Sequence, residues 1–169
     1  MRKLVIVVDM LRGFLEPGYP LYCGDASRRI IPPVLELLGR PETGPIVYLA
    51  DSHAPDDLEF RMFPPHCIRG SVESELIPEL APFPGRVVPK TRYSGFYGTD
   101  LETVLLDAAP GLVTVVGVCT DICVMHTVAD LRNRDYAVEV PEACVASFDQ
   151  EAHLCALRHM EKILGAAIV

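Results

Sequence analysis

The sequence predicts an α/β fold, with a mainly parallel sheet of about six strands and helices on both faces of the sheet. Short runs of β-branched and other apolar residues recur along the chain, and stretches with helical spacing of apolar residues separate most of them. The runs are continuous rather than alternating, which is typical of parallel strands buried on both faces. Strands and helices that alternate in this way form three layers, as in Rossmann-like domains. The predicted strands are residues 4–8, 46–50, 86–88, 112–116, 137–140 and 166–169.

The first two predicted helices have sequence signals at their N-termini. Apolar spacing predicts a helix over residues 30–38, and Pro32 and Pro33 lie in its first turn, where a missing N–H does no harm. Thr99 and Glu102 have the spacing of a capping box, which indicates that a second helix begins there. Its predicted apolar face consists of Leu101, Val104, Leu105 and Ala108.

Two further helices are predicted in the second half of the chain. One begins at Thr120 or Asp121 and reaches about residue 134. The other runs from about residue 149 to residue 164 and ends at Gly165. By contrast, residues 51–85 are rich in proline and have no sustained periodicity, and an irregular connection of that length is usually functional. The side chains of the last helix that we expect to point inward are Leu154, Leu157, Met160 and Ile163.

Composition limits the class of protein. With 169 residues, 50% apolar and 22% charged, the chain is predicted to form one folded domain over residues 1–169. The net charge is −8 and the basic residues are scattered, which argues against nucleic acid and anionic membrane surfaces as partners. No apolar run approaches the roughly 20 residues that span a bilayer, so we expect a cytoplasmic protein with no membrane partner. The six cysteines are interpreted as mostly free thiols.

An acid, a base and a thiol follow three of the predicted strands. Asp9 ends the first strand, Lys90 follows the third, and Cys123 lies in the first turn of the helix after the fourth. Ligands of open parallel sheets bind beyond the carboxyl ends of the strands, so these side chains are expected to converge there. Each residue alone has a common structural role, since an aspartate often caps a turn, a lysine is usually solvated and a cysteine is often buried. Together they favour a nucleophilic cysteine, with Lys90 stabilising the thiolate and Asp9 carrying its proton.

A second cluster of polar residues lies on the irregular segment after the second strand. Asp51, His53 and His66 form a ligand set that suits Zn, Fe(II) or Mn, and Glu59 is a possible fourth ligand. The alternative is that they are solvated loop residues. Cys119 with Cys123 forms a CxxxC pair that fits a metal or redox site, but we favour a backbone role for Cys119. The remaining histidines are interpreted as structural, and they are His126, His153 and His159.

Three segments resemble a known family. Residues 7–10 with Phe14, residues 90–99 and residues 117–124 together resemble the isochorismatase-like cysteine hydrolases, and they follow one another in that family's order. Within this superfamily, the aspartate and histidine at residues 51–53, followed by residues 63–70, resemble the metal loop of nicotinamidases.

The resemblance implies a catalytic triad of Asp9, Lys90 and Cys123. Cys123 would attack the carboxamide carbon of nicotinamide after giving its proton to Asp9, and a thioester would form as ammonia leaves. Water would then release nicotinic acid. The resemblance also implies an oxyanion hole made by the backbone N–H groups of Cys119 and Cys123, with a cis peptide bond between Val118 and Cys119.

The resemblance further implies a divalent metal ion, Zn, Fe or Mn, and no organic cofactor. Asp51, His53 and His66 would hold the metal, which would bind the pyridine nitrogen of the substrate. The predicted pocket residues are Phe14 and Phe63 beside the ring, with Tyr93 and Phe96 closing the pocket. The partners implied are a small-molecule amide and further copies of the chain in a homo-oligomer.

Other activities are compatible with parts of this pattern. Relatives in the same superfamily act without a metal on N-carbamoyl or ureido amides, and they keep the triad but generally lack the metal loop. An isochorismatase that cleaves a vinyl ether does not need the thiol of Cys123. A catalytically silent binding module is the most remote alternative, because it has no reason to keep a low-pKa cysteine.

Overall fold

A computed structural model describes residues 2–169 and contains a seven-stranded sheet in which all strand pairs are parallel. The order is β3-β2-β1-β4-β5-β7, and β6 pairs with the end of β4 beyond β5. The predicted parallel α/β fold is confirmed. The strands are β1 (Lys3–Val8), β2 (Ile46–Asp51), β3 (Arg86–Lys90), β4 (Leu112–Val118), β5 (Val138–Val140), β6 (Val145–Ala146) and β7 (Ala167–Ile168).

Helices cover both faces of the sheet. The apolar side chains of β1 alternate between two buried clusters, so that Ile6 faces one layer of helices and Val7 faces the other. Helices α3, α4 and α5 pack on the face of Ile6, and α1 and α2 pack on the face of Val7. The three-layer prediction is therefore confirmed. The helices are α1 (Arg12–Leu15), α2 (Ile31–Leu38), α3 (Leu101–Ala108), α4 (Met125–Arg132) and α5 (Gln150–Lys162).

Short elements account for most differences from the sequence prediction. β6 and α1 were not predicted, because two and four residues are too few to show a periodicity. The helix expected from residue 120 begins as a π-helical turn, Thr120–Val124, and continues as α4. Residues 51–85 contain three 3₁₀ turns and no longer helix, in line with the irregular segment expected there.

The inward face of α5 differs from the prediction at two positions. Leu154 and Ile163 are 39% and 70% exposed, whereas His153 and Ala156 are buried together with Leu157 and Met160. The buried positions are spaced three and four residues apart, so they form one continuous stripe on the helix. Our prediction gave the stripe to the larger apolar residues and missed the buried histidine.

The capping box predicted before α3 is not formed. Asp100 is the N-cap residue, and Thr99 Oγ1 accepts a hydrogen bond from the backbone N–H of Leu101 at 3.2 Å instead of from that of Glu102. Glu102 does not complete the box, because its carboxylate accepts a hydrogen bond from Arg134 Nε at 3.0 Å.

The neighbours of β1 define the position of the candidate site. In the sheet, β2 and β3 lie on one side of β1, and β4 lies on the other side. Because the strand order changes direction at β1, a crevice opens at the carboxyl ends of β1 and β4. Gly117 lies at the end of β4 with φ +115°, and a Cβ there would come within 2.0 Å of Val8 O. Glycine therefore allows β4 to approach the end of β1 and brings the residues after both strands together.

All six cysteines are free thiols in the described part of the chain, as predicted. Five of them are buried and Cys155 is exposed. Within the described residues, no helix has the length and apolar character that crossing a bilayer requires.

Candidate active site

Lys90 lies at the centre of the candidate site. Its Nζ is 2.8 Å from Asp9 Oδ2 and donates hydrogen bonds to Asp51 Oδ1 at 2.5 Å and to Cys123 Sγ at 3.4 Å. The side chain is fully buried, and the charges of Asp51 and Asp9 hold the Lys90 pKa well above its ordinary value despite its burial. A permanent positive charge therefore faces the thiol and both carboxylates.

Asp9 follows β1 in the left-handed region of the backbone, with φ 48°. This conformation is uncommon for a residue other than glycine, and such residues often occur at functional sites. The backbone N–H of Asp51 donates to Asp9 Oδ1 at 2.9 Å and fixes the carboxylate. Burial, with a further contribution from Asp51, raises the pKa of Asp9 to about 6, although Lys90 lowers it. A carboxylate with such a pKa can both accept and return a proton near neutral pH.

Cys123 lies in the π-helical turn that follows β4. Its Sγ, an oxygen of Asp9 and an oxygen of Asp51 all lie within 4.8 Å of one another. Burial raises the pKa of the Cys123 thiol well above its ordinary value, although the charge of Lys90 lowers it. Lys90 thus favours the thiolate, as expected, but burial outweighs it. The resting group is a thiol that needs a base.

The peptide bond between Val118 and Cys119 is cis. Cys119 borders the same pocket as Cys123, while its Sγ lies 3.6 Å from Cys23 Sγ on the loop behind it. The thiol of Cys119 therefore contacts another cysteine, and the role of its backbone N–H in an oxyanion hole stays a prediction.

The predicted metal ligands converge around one point. His53 Nε2 and His66 Nε2 lie 3.5 and 3.8 Å from Asp51 Oδ2, and Glu59 Oε1 lies 4.0 and 3.8 Å from the same two nitrogen atoms. Ligands at tetrahedral bond lengths of about 2.0–2.2 Å are separated by roughly 3.4 Å. The distances between the four groups are thus close to the distances between ligands of a metal ion.

The hydrogen bonds of these residues also fit a metal ion. His66 Nδ1 donates to Pro64 O at 2.8 Å, which leaves its Nε2 lone pair directed at the cluster. Among the described residues, His53 Nε2 and Glu59 Oε2 are buried without a hydrogen-bond partner. A cation between these groups would satisfy both atoms.

The charged groups of the cluster shift one another's pKa values. Although burial opposes it, Lys90 and the two histidines hold the pKa of Asp51 well below its usual range. Burial lowers the pKa of His53, but the nearby carboxylates of Asp51 and Asp57 raise it to about 9. Asp51 links the two halves of the site, since one of its oxygens accepts from Lys90 and the other faces His53 and His66.

Members of both clusters line one pocket, and they are Asp9, Asp51, Glu59, His66 and Cys123. Phe14, Phe63 and Tyr93 line it, as the sequence predicted. Phe96 lies outside the lining, and its ring packs under the guanidinium of Arg134 at 4.2 Å. The prediction that Phe96 closes the pocket therefore has no geometric support.

Sequence reasoning missed three apolar lining residues, which are Leu21, Ile122 and Phe148. Phe148 follows β6, so the rule that directs attention to strand ends would have found it had that strand been predicted. Leu21 lies in a loop with no such signal.

The histidines expected to be structural lie outside this pocket lining. His153 Nδ1 lies 2.8 Å from Thr120 Oγ1, so it connects α5 to the turn that carries Cys123. His126 is exposed on α4, where Ile122 O accepts a hydrogen bond from its Nδ1 at 2.7 Å. His159 is exposed on α5.

Comparison with known proteins identifies the family of the chain. A model of the isochorismatase domain matches residues 3–169 of the chain. The chain belongs to the isochorismatase family. The resemblance predicted from the three sequence segments is thus confirmed.

Three solved structures are similar over almost their entire length. Nicotinamidase PncA from Bacillus subtilis is 34% identical, with a TM-score of 0.92 over 100% of this chain and 99% of that chain. N-carbamoylsarcosine amidase from Thermoplasma acidophilum is 33% identical, with a TM-score of 0.88 over 99% of this chain and 95% of that chain. Pyrazinamidase of Pyrococcus horikoshii, solved in complex with zinc, is 29% identical, with a TM-score of 0.91 over 100% of this chain and 99% of that chain.

Proposed function

We propose that this protein is a metal-dependent cysteine amidohydrolase that converts nicotinamide to nicotinic acid and ammonia. The observation that carries the proposal is the position of Asp51, which contacts both Lys90 and the cluster of His53 and His66. A substrate with a ring nitrogen and a carboxamide needs both halves of such a site. The similarity to a nicotinamidase and a zinc-containing pyrazinamidase supports it.

In the first half of the reaction, Cys123 Sγ attacks the carboxamide carbon while its proton passes to the Asp9 carboxylate. The Nζ of Lys90, 3.4 Å from Sγ, stabilises the thiolate as it forms. Backbone N–H groups of Cys119 and Cys123 stabilise the oxyanion. The C–N bond then breaks, Asp9 returns the proton to the leaving nitrogen, and ammonia departs from a thioester.

In the second half, water attacks the thioester carbon and gives a proton to Asp9. The C–S bond breaks, the acid leaves, and the proton returns from Asp9 to Cys123. The pKa of Asp9, raised to about 6 mainly by burial, suits a group that accepts a proton twice and returns it twice.

Asp51, His53 and His66 would hold the divalent ion, with Glu59 as a further ligand. When bound, the ion supplies a Lewis acid for the pyridine nitrogen, which fixes the ring in the pocket. Phe14, Phe63 and Tyr93 line that pocket and would contact the faces and edges of the ring.

A second candidate is hydrolysis of another small amide without a metal, such as an N-carbamoyl or ureido compound. The similarity to N-carbamoylsarcosine amidase favours this candidate. It uses the same three residues, Asp9, Lys90 and Cys123, but gives no role to the two histidines.

Ammonia release distinguishes these functions. We expect release from nicotinamide by zinc-loaded protein, and a loss of release on chelation or in His66→Ala, with zinc content falling in parallel. His159→Ala on the exposed face of α5 is the matched control and should behave as the unchanged protein. Release from carbamoyl or ureido amides that is insensitive to chelation would support the second candidate. A protein that releases ammonia from none of these amides, with an unreactive Cys123, would match a silent binding module.

A further inference from the structure

Asp57 is a half-buried acidic residue that the mechanism above does not use. Its side chain is 7% exposed, and its Oδ2 lies 3.1 Å from His53 Nδ1. Arg92 Nη1 donates to both of its oxygen atoms, at 2.9 and 3.1 Å. Asp57 also caps the 3₁₀ turn Leu58–Arg61, because its Oδ1 accepts a hydrogen bond from the N–H of Glu59 at 3.0 Å.

The contact with Asp57 determines which nitrogen of His53 faces the metal cluster. An ionised carboxylate only accepts hydrogen bonds, so the nitrogen beside Asp57 must carry a hydrogen. In the neutral ring that binds a metal, the other nitrogen, Nε2, then carries the lone pair, and it is the atom that lies near Asp51 and Glu59. Histidine ligands of metals depend on such outer contacts for tautomer and ring orientation.

Arg92 holds this carboxylate in place, because its Nη1 donates hydrogen bonds to both oxygen atoms of Asp57. Arg92 lies just beyond Lys90 at the end of β3, whereas Asp57 lies in the metal loop. The ion pair therefore connects the loop to the strand that carries Lys90.

We propose that Asp57 is the positioning residue of the metal site, and that it orients His53 while Arg92 holds Asp57. This inference rests on the metal site of the proposed function, but not on the substrate. It states that Asp57 and Arg92 affect the affinity of the protein for the metal and that they have no direct role in the reaction. Neither residue is placed in contact with substrate or the reacting atoms.

The test measures the zinc dissociation constant of metal-free protein by competition with a chromophoric chelator, in the absence of substrate. We expect Asp57→Ala to weaken zinc binding by roughly 10–100-fold, which is typical for loss of an outer contact to a ligand. Asp57→Asn keeps an acceptor for His53, so it should restore part of that loss. Asp56→Asn is the matched control, because Asp56 is the exposed neighbour of Asp57 and carries the same charge.

Arg92→Gln distinguishes a role of Arg92 in positioning Asp57 from a direct effect of its charge on zinc binding. Removing a positive charge near a cation should strengthen zinc binding if only the summed charge matters. If Arg92 acts by holding Asp57, zinc binding should weaken instead, and the visible spectrum of the cobalt-loaded protein should change in the same variant. Circular dichroism of each metal-free variant confirms that it is folded.

Several outcomes would overturn the inference: unchanged zinc affinity in both folded Asp57 variants, equal weakening in Asp56→Asn, or tighter binding in Arg92→Gln. Absence of zinc binding by the unchanged protein would overturn it as well. Failure of the proposed function gives a different result. In that case zinc affinity depends on Asp57 as stated, while nicotinamide releases no ammonia.

Discussion

Lys90 is the residue on which the charge balance of the site depends. It lies fully buried between Asp9 and Asp51, at 2.8 and 2.5 Å from their oxygen atoms. Two carboxylates buried this close together would repel each other, and the ammonium group offsets that repulsion. Removing one partner of a buried ion pair leaves an uncompensated charge, which is far more costly than losing a surface pair.

Lys90→Met should therefore lower the stability of the folded protein as well as its activity. Methionine nearly fills the volume of lysine but leaves both carboxylates without their cation, so we expect the free energy of unfolding to fall by about 3–5 kcal/mol. Urea unfolding followed by circular dichroism measures this change. Lys162→Met, at the exposed end of α5, is the control and should change it by less than about 0.5 kcal/mol. Equal stability of the two variants would contradict the importance of the buried pair.

Cys123→Ala tests the proposed nucleophile. Without the thiol no thioester forms, and kcat should fall by at least about 10³-fold. The fold should persist, because alanine favours the helical turn that Cys123 occupies. Cys144→Ala removes a buried thiol that lies outside the pocket lining and should keep the activity. Turnover by Cys123→Ala near that of the unchanged protein would exclude Cys123 from the reaction.

At the level of elements, α5 contacts the turn that carries Cys123. His153 on α5 lies 2.8 Å from the hydroxyl of Thr120, the first residue of the π-helical turn. Burial disfavours the charged ring and lowers the pKa of His153, although Glu142 and Asp121 raise it. The folded protein thus keeps this ring neutral to lower pH than the unfolded chain does.

The pH dependence of stability should reveal this contact. As pH falls below the ordinary histidine pKa of 6.5, the unfolded chain takes up a proton at His153 before the folded protein does, so the free energy of unfolding decreases. His153→Gln cannot titrate and should lose less stability than the unchanged protein between about pH 7.5 and about pH 5. Urea unfolding at each pH gives the difference between the two proteins. His159→Gln, on the exposed face of the same helix, should follow the unchanged protein. If the difference does not vary with pH, His153 does not contribute in this way.

At the scale of the whole molecule, the proposed metal ligands connect the end of β2 to the long irregular segment that follows it. Asp51 and His53 lie at that strand end, and Glu59 and His66 lie within the segment. This segment has no long helix and only short 3₁₀ turns, so a bound ion would hold it against the sheet. The assembly into a homo-oligomer stays a prediction.

Metal binding should therefore stabilise the folded protein. Zinc at about 100 times its dissociation constant adds about 2.7 kcal/mol, which corresponds to a rise in Tm of roughly 5–10 °C for a chain of this size. Differential scanning calorimetry with and without zinc measures the shift. His66→Ala should abolish most of it, while His159→Ala should keep it. A shift of the same size in both variants would show that zinc acts elsewhere.

The local sequence pattern was sufficient to predict much of the fold of this protein. Continuous apolar runs identified the parallel strands, and the strand-end rule placed Asp9, Lys90 and Cys123 at one edge of the sheet. Such patterns are visible in sequence because burial on both faces of a strand restricts every residue in it. The short β6 and α1 escaped detection, since too few residues carry the signal.

Three features depend on contacts between segments far apart in sequence. Phe96 packs against Arg134 instead of the pocket, Phe148 reaches the pocket from the end of β6, and Asp57 pairs with Arg92. Burial likewise decides the protonation of Cys123, whose pKa is raised although Lys90 lies beside it. The sequence by itself determined the fold class and the residue types at the strand ends, because these follow from local hydrophobic pattern. Only the tertiary structure decided the partners, distances and protonation states, because desolvation and charge depend on every segment packed around the site.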